Sequence, residues 1–196
     1  MPDPTPRRRQ LAEAATAVVA REGLRGLTHR AVDREAGIAE GSCSAYLRTS
    51  RALRDALTEH VAGSMAADVE DLAAQVAALP PRTEGAPPGP ALDLAMALMQ
   101  RWVDRRDLVV VSLELSTAAT RDPAIAEQLA PWRARLVDVV DAILAAAGRP
   151  HSTERADALV AAYDGILAAA LLRPDDERRA WLARTLTLVT DALTCA

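Results

Sequence analysis

The chain contains no phenylalanine and no lysine, and aromatic residues fill only 3% of its 196 positions. Two cysteines, Cys43 and Cys195, are too few for a disulfide framework or a structural zinc site, so a reduced, cytoplasmic protein is expected. No apolar run approaches the roughly 18 residues of a membrane span. The first residues, MPDPTPRRRQ, carry charge without an apolar stretch behind it and do not read as a signal peptide. His29, His60 and His151 have no partner at metal-ligand spacing, and neither HExxH nor ExxH occurs. A glycine-rich phosphate loop and a serine elbow are missing too. These absences argue against an enzyme and call for no metal and no cofactor.

What the chain has is small apolar residues and arginine. Half of it is hydrophobic, mainly Ala, Leu and Val, enough over this length to bury a core as one domain or two small ones. The formal net charge is −4, unevenly placed: residues 1–60 hold ten Arg against eight acidic residues, the rest thirteen against nineteen. A small head that meets a polyanion, carried on a larger acidic body, would show such a balance.

Helical periodicity runs through nearly every segment. RQLAEAATAVVAREG places Leu11, Ala15, Val18 and Val19 on one stripe and stops at Gly23. Thr28 is a suitable N-cap for HRAVDREA, which Gly37 ends. A third helix is expected over about Glu40–Leu47, and a long fourth from near Arg51 to about Leu79. PPRTEGAPPGP, residues 80–90, has five prolines and two glycines and reads as a loop. DLVVVSLELSTAAT is β-branched at its start, yet Leu108, Val111, Leu115 and Ala118 hold helical spacing and no partner strand exists, so it reads as a buried helix. Pro131 should bend or divide the helix opened by Asp122-Pro123. Ser152 caps the penultimate helix, and Pro174 with Asp175, Asp176 and Glu177 opens the last. The wide apolar faces of these two either close the monomer core or also receive a partner. The expected fold is all-α, about nine helices.

Helices two and three are short and joined by AGIAE, whose Gly37 permits the positive φ of a sharp turn. Cys43 and Leu47, four apart, would point inward and leave Ser42, Ser44, Ala45 and Tyr46 outside. Short polar groups on an exposed helix suit the major groove. A small solvated helix in a bundle is the plainer alternative.

Over residues 7–60 the chain resembles the TetR family of transcriptional repressors. Gly23, Thr28, Gly37, Ile38, Gly41, Ser42, Tyr46 and Leu53 match its helix-turn-helix pattern, while the rest agrees in length and helix count without a diagnostic motif. The resemblance implies a DNA-binding head at residues 1–50 and a ligand-binding and dimerisation body at 51–196. It implies DNA contacts from Thr28, His29, Arg30, Gly41, Ser42, Ser44, Ala45 and Tyr46, with Arg30 forking a guanine edge. The family's aromatics are missing at Ser44 and Ala45, and its phosphate-gripping Lys is missing at Ser50, where Arg48 or Arg51 can supply the charge. Ala39 stands where a Ser or Thr caps the recognition helix, a loss of about 1 kcal/mol. Arg7, Arg8 and Arg9 are either a disordered arm over the duplex or a solvated tail.

The same resemblance implies a homodimer through residues 152–195, a palindromic double-stranded DNA operator and release by a small-molecule ligand. Met96, Met99, Trp102, Val111, Leu115 and Trp132 are candidates for the ligand cavity, with plain core packing as the alternative. Glu114, a charge within VVVSLELS, would recognise a cationic or hydroxylated ligand, or else sit at the surface or pair with an arginine. A helical interaction module without DNA binding is the competing function.

Overall fold

The computed structural model describes residues 6–80 and 90–194. Nine α-helices follow in order among them: α1 Pro6–Glu22, α2 His29–Glu35, α3 Ser42–Tyr46, α4 Ser50–Ala77, α5 Ala91–Asp104, α6 Arg106–Ala119, α7 Pro123–Ala146, α8 Thr153–Leu171 and α9 Asp175–Thr194. The all-α expectation holds, and the β-branched segment is the helix α6. Most of the proline-rich loop expected at 80–90 lies outside the described residues, as does Cys195.

The helices form two compact units, Met1–Ser64 with Asp107–Ala130, and Met65–Arg106 with Pro131–Ala196. α4 and α7 each contribute to both. α7 runs through Pro131 without interruption, and the division between units falls at that residue.

In the first unit, the stripe of α1 is fully buried at Leu11, Ala15, Val18 and Val19, and meets Val32 of α2 and Cys43 and Leu47 around α3 in one core. Removing each of these larger aliphatic side chains from water contributes about 1.5–3 kcal/mol. Gly23 ends α1 at φ 70°. A 3₁₀ turn over Leu24–Gly26 follows, and Gly26 packs so closely on α1 that a Cβ there would lie 2.5 Å from Glu22 Cβ. Gln10 of α1 donates to the Ala36 carbonyl at 3.2 Å, which ties α1 to the end of α2.

In the second unit, α8 packs along α9 and α5 lies on both. Ser152 caps α8 through the Arg155 amide, as its sequence suggests, and the Pro174 carbonyl accepts the first amide bonds of α9, which begins at Asp175. Trp102 is buried and donates its indole N–H to Asp68 of α4 at 2.8 Å, while Arg105 holds the same carboxylate at 2.6 Å. Leu172 and Leu188 remain on the outside of α8 and α9, 88% and 69% exposed.

Candidate nucleic-acid interface

The first unit builds a helix-turn-helix from α2 and α3. Thr28 caps α2, its Oγ1 accepting the Ala31 amide at 3.2 Å. Val32 is buried against α1, so the next residue, Asp33, faces the turn. Gly37 turns the chain at φ 64°, and Gly41 adopts φ 91° immediately before α3. Residues with a Cβ pay about 1–2 kcal/mol for such conformations, so glycine fits both.

The start of α3 corrects the expectation for Ala39. The helix begins at Ser42 with Gly41 in the N-cap position, and neither residue caps it with a side chain. The missing cap comes across the turn: Asp33 is 2% exposed, and its two carboxylate oxygens accept the amides of Gly41 and Cys43, each at 2.7 Å. An anion on the free amides of a helix N-terminus is both charge-assisted and favoured by the helix dipole. The loss anticipated from Ala39 is therefore offset by a residue eight positions upstream of Gly41. Burial, and then the charge of Asp33, push the Cys43 thiol up to about 11. That keeps it a neutral core group.

Cys43 and Leu47 point inward, at 0% and 1% exposure, while Ser44, Ala45 and Tyr46 are exposed and Ser42 is half-buried. Tyr46 is 52% exposed. Ser44 donates its hydroxyl to the Gly41 carbonyl at 2.8 Å. His29, half-buried, donates from Nε2 to the Leu47 carbonyl, so the first residue of α2 braces the end of α3. Arg48 is exposed, and Arg51 is exposed with its Nε 3.8 Å from Asp55. Arg30 is 85% exposed and its Nε lies 2.7 Å from the Glu40 carboxylate. Thr28, His29, Arg30, Gly41, Ser42, Ser44, Ala45, Tyr46, Arg48 and Arg51 thus all belong to the first unit, along α2, α3 and the start of α4.

Arg7, Arg8 and Arg9 form neither an arm nor a tail; they are the exposed first turn of α1. Three cations at a helix N-terminus oppose its dipole, a cost of about 0.3–1 kcal/mol each at low salt. Arg7 hydrogen-bonds Gln10 at 2.7 Å.

The six expected ligand residues divide between the units. Val111 and Leu115 are buried in the first. In the second, Trp102 has its N–H engaged by Asp68, and Met96 and Met99 line a cleft of about 330 Å³ between α5 and the α8–α9 pair. Trp132 buries its indole nitrogen without a hydrogen-bond partner. Glu114 takes the surface alternative: it is exposed, with Oε2 3.5 Å from the Leu24 amide.

Two groups were not anticipated from the sequence. Asp33 had a visible trace, a third helix with no capping residue of its own. Glu40 had none, since its contact with Arg30 depends on the turn geometry.

Among the described residues no three His, Cys, Asp or Glu side chains gather as a metal site, and no helix is long and apolar enough to cross a membrane.

Residues 86–193 match the family described as Tetracyclin repressor-like, C-terminal domain. Solved structures share the whole fold. A transcriptional regulator from Rhodococcus sp. Rha1 is 23% identical over 94% of this chain and 96% of its own, with a TM-score of 0.67. The fatty acid degradation regulator FadR from Bacillus halodurans, 15% identical, covers 95% and 96% at a TM-score of 0.75. The multidrug binding protein EbrR, complexed with malachite green, is 27% identical over 94% and 98%, with a TM-score of 0.63. No curated protein matches the sequence.

Proposed function

The chain belongs to the TetR family of transcriptional regulators, and from that premise we propose that it is a ligand-responsive repressor that grips a palindromic operator as a homodimer. The observation that carries the reading is the outward face of α3, exposed at Ser44, Ala45 and Tyr46 and held from behind by Asp33. A helix presented in this way is a reading surface with a rigid mount.

In this reading residues 1–50 are the DNA-binding head and 51–196 the body. Arg30 supplies a guanidinium fork for guanine. Thr28, His29, Tyr46, Arg48 and Arg51 meet phosphates, while Gly41, Ser42, Ser44 and Ala45 allow close approach to base edges. One such helix covers too little duplex, so two copies read half-sites about one helical turn apart. Residues 152–195 pair the copies, and the exposed Leu172 and Leu188 are the groups such pairing would cover. A small-molecule inducer needs only to favour the spacing of heads that does not fit DNA. EbrR, a multidrug binding protein, offers the precedent for an organic ligand on this fold. A regulator of this kind performs no catalysis and works in the cytoplasm.

Selection of bound duplexes from a random pool tests the proposal. Recovery of a palindrome, with affinity falling steeply as salt rises, is the expected result. Recovery of random sequence only would favour the helical interaction module.

A further inference from the structure

We propose that the cleft between α5 and the α8–α9 pair binds a small lipophilic cation, an apolar body that carries a protonated amine. The proposal deepens the regulator reading by naming a ligand class, and rests on that reading only for the use to which binding is put. The cleft lies wholly within the second unit and encloses about 330 Å³, at the lower end of the range for small-molecule sites.

Its apolar lining includes Leu92, Met96, Met99 and Leu186. Methionine adapts to the shape of an aromatic or alkyl body. At the more buried part of the lining, the Tyr163 hydroxyl and Thr190 Oγ1 share a hydrogen bond of 2.7 Å. Burial raises the Tyr163 phenol above its ordinary range, so it serves as a neutral hydrogen-bonding group.

The charged groups decide the ligand class. Arg149, 18% exposed, points its guanidinium at Asp191 Oδ1, 2.7 Å away, while Asp191 itself is 47% exposed. Asp93 of α5 lines the same cleft and is exposed. Among the described residues of the lining, one engaged guanidinium therefore faces two carboxylates. An anionic ligand would have to compete with Asp191 for Arg149 and lie beside both acids. A cation meets Asp93 and the second oxygen of Asp191 without breaking the Arg149–Asp191 pair. Charge-assisted hydrogen bonds of that kind are about twice as strong as neutral ones.

Calorimetry on the full chain without DNA, with phenylbutylamine, phenylbutanol and phenylbutyrate as probes of one shared body, tests the assignment. The amine should bind saturably and about tenfold or more tightly than the carboxylate. Asp93→Asn, at an exposed position, should weaken the amine about three- to tenfold and leave the alcohol unchanged. Ala95→Phe, on the same lining, should abolish binding of all three. Equal or tighter binding of the carboxylate, no saturable signal from the amine, or full binding by Ala95→Phe would each overturn the proposal. Failure of the two readings is separable: amine binding without any selected duplex removes the regulator reading alone, and a selected palindrome without amine binding removes this one alone.

Discussion

The Asp33 carboxylate on α2 accepts the backbone amide of Cys43 at 2.7 Å, and its other oxygen takes that of Gly41 at the same distance. Replacing Asp33 by Ala leaves these two amides without their acceptor in a site almost closed to water. The expected cost is about 1–3 kcal/mol of stability, measurable by urea unfolding. Asp33→Asn keeps one acceptor oxygen and should recover part of the loss. An unchanged midpoint in Asp33→Ala would refute the capping role.

The ion pair between Arg30 and Glu40 joins two side chains that are 85% and 69% exposed, on the face assigned to DNA. Arg30→Ala should weaken operator binding by about 1–3 kcal/mol and relax preference at a single base pair. Glu40→Gln removes a negative charge that opposes the phosphates and frees Arg30. It should strengthen non-specific duplex binding, as read by anisotropy at low salt. Weaker non-specific binding would contradict the placement of this face.

Replacing Arg7, Arg8 and Arg9 together by Gln should relieve the first turn of α1 and leave folding intact or slightly improved. If these side chains meet phosphates, the slope of log affinity against log salt falls by about one for each phosphate that is no longer neutralised. An unchanged slope would assign them to solvent.

The Cys43 thiol, pushed up to about 11 by burial, gives an alkaline signature. The folded state favours the protonated thiol, whose ordinary value is about 8.5. Its contribution is complete below that pH and is lost as pH rises towards about 11. Cys43→Ala should flatten the decline of stability over this window in parallel urea titrations, and an identical decline would argue against the assignment.

Leu188, 69% exposed on α9, is a position at which a charge should interfere with pairing of two copies. Leu188→Glu is expected to give monomers by light scattering and to lose specific DNA binding with its fold retained by circular dichroism. A monomeric parent chain would end the dimer proposal before the variant is made.

Features that depend on neighbours in sequence were legible from the chain. Thr28 and Ser152 cap the helices they were expected to cap, Gly37 takes the positive φ its turn needs, and Cys43 and Leu47 face inward by their spacing. Helical period at Leu108, Val111 and Leu115 outweighed the strand propensity of α6, because each apolar group found a buried position on one face. Less legible was whatever depends on contacts across the fold. The cap on α3 comes from another helix, and the start of α1 depends on whether helix forms through three arginines. Met96 and Met99 share a lining with Tyr163, Thr190, Arg149 and Asp191, residues far along the chain whose polar character gave no sign of a common destination. Val111 and Leu115 have the same apolar pattern as those methionines, yet belong to another core.

Because the acid that secures α3 resides on α2, the outward residues of α3 carry little of the anchoring. Ser44 and Ala45 can then be exchanged for other side chains without unmooring the segment that displays them. A library randomised at these two sites should yield mostly folded proteins, and if α3 reads DNA as proposed, its members should differ in the duplexes they select.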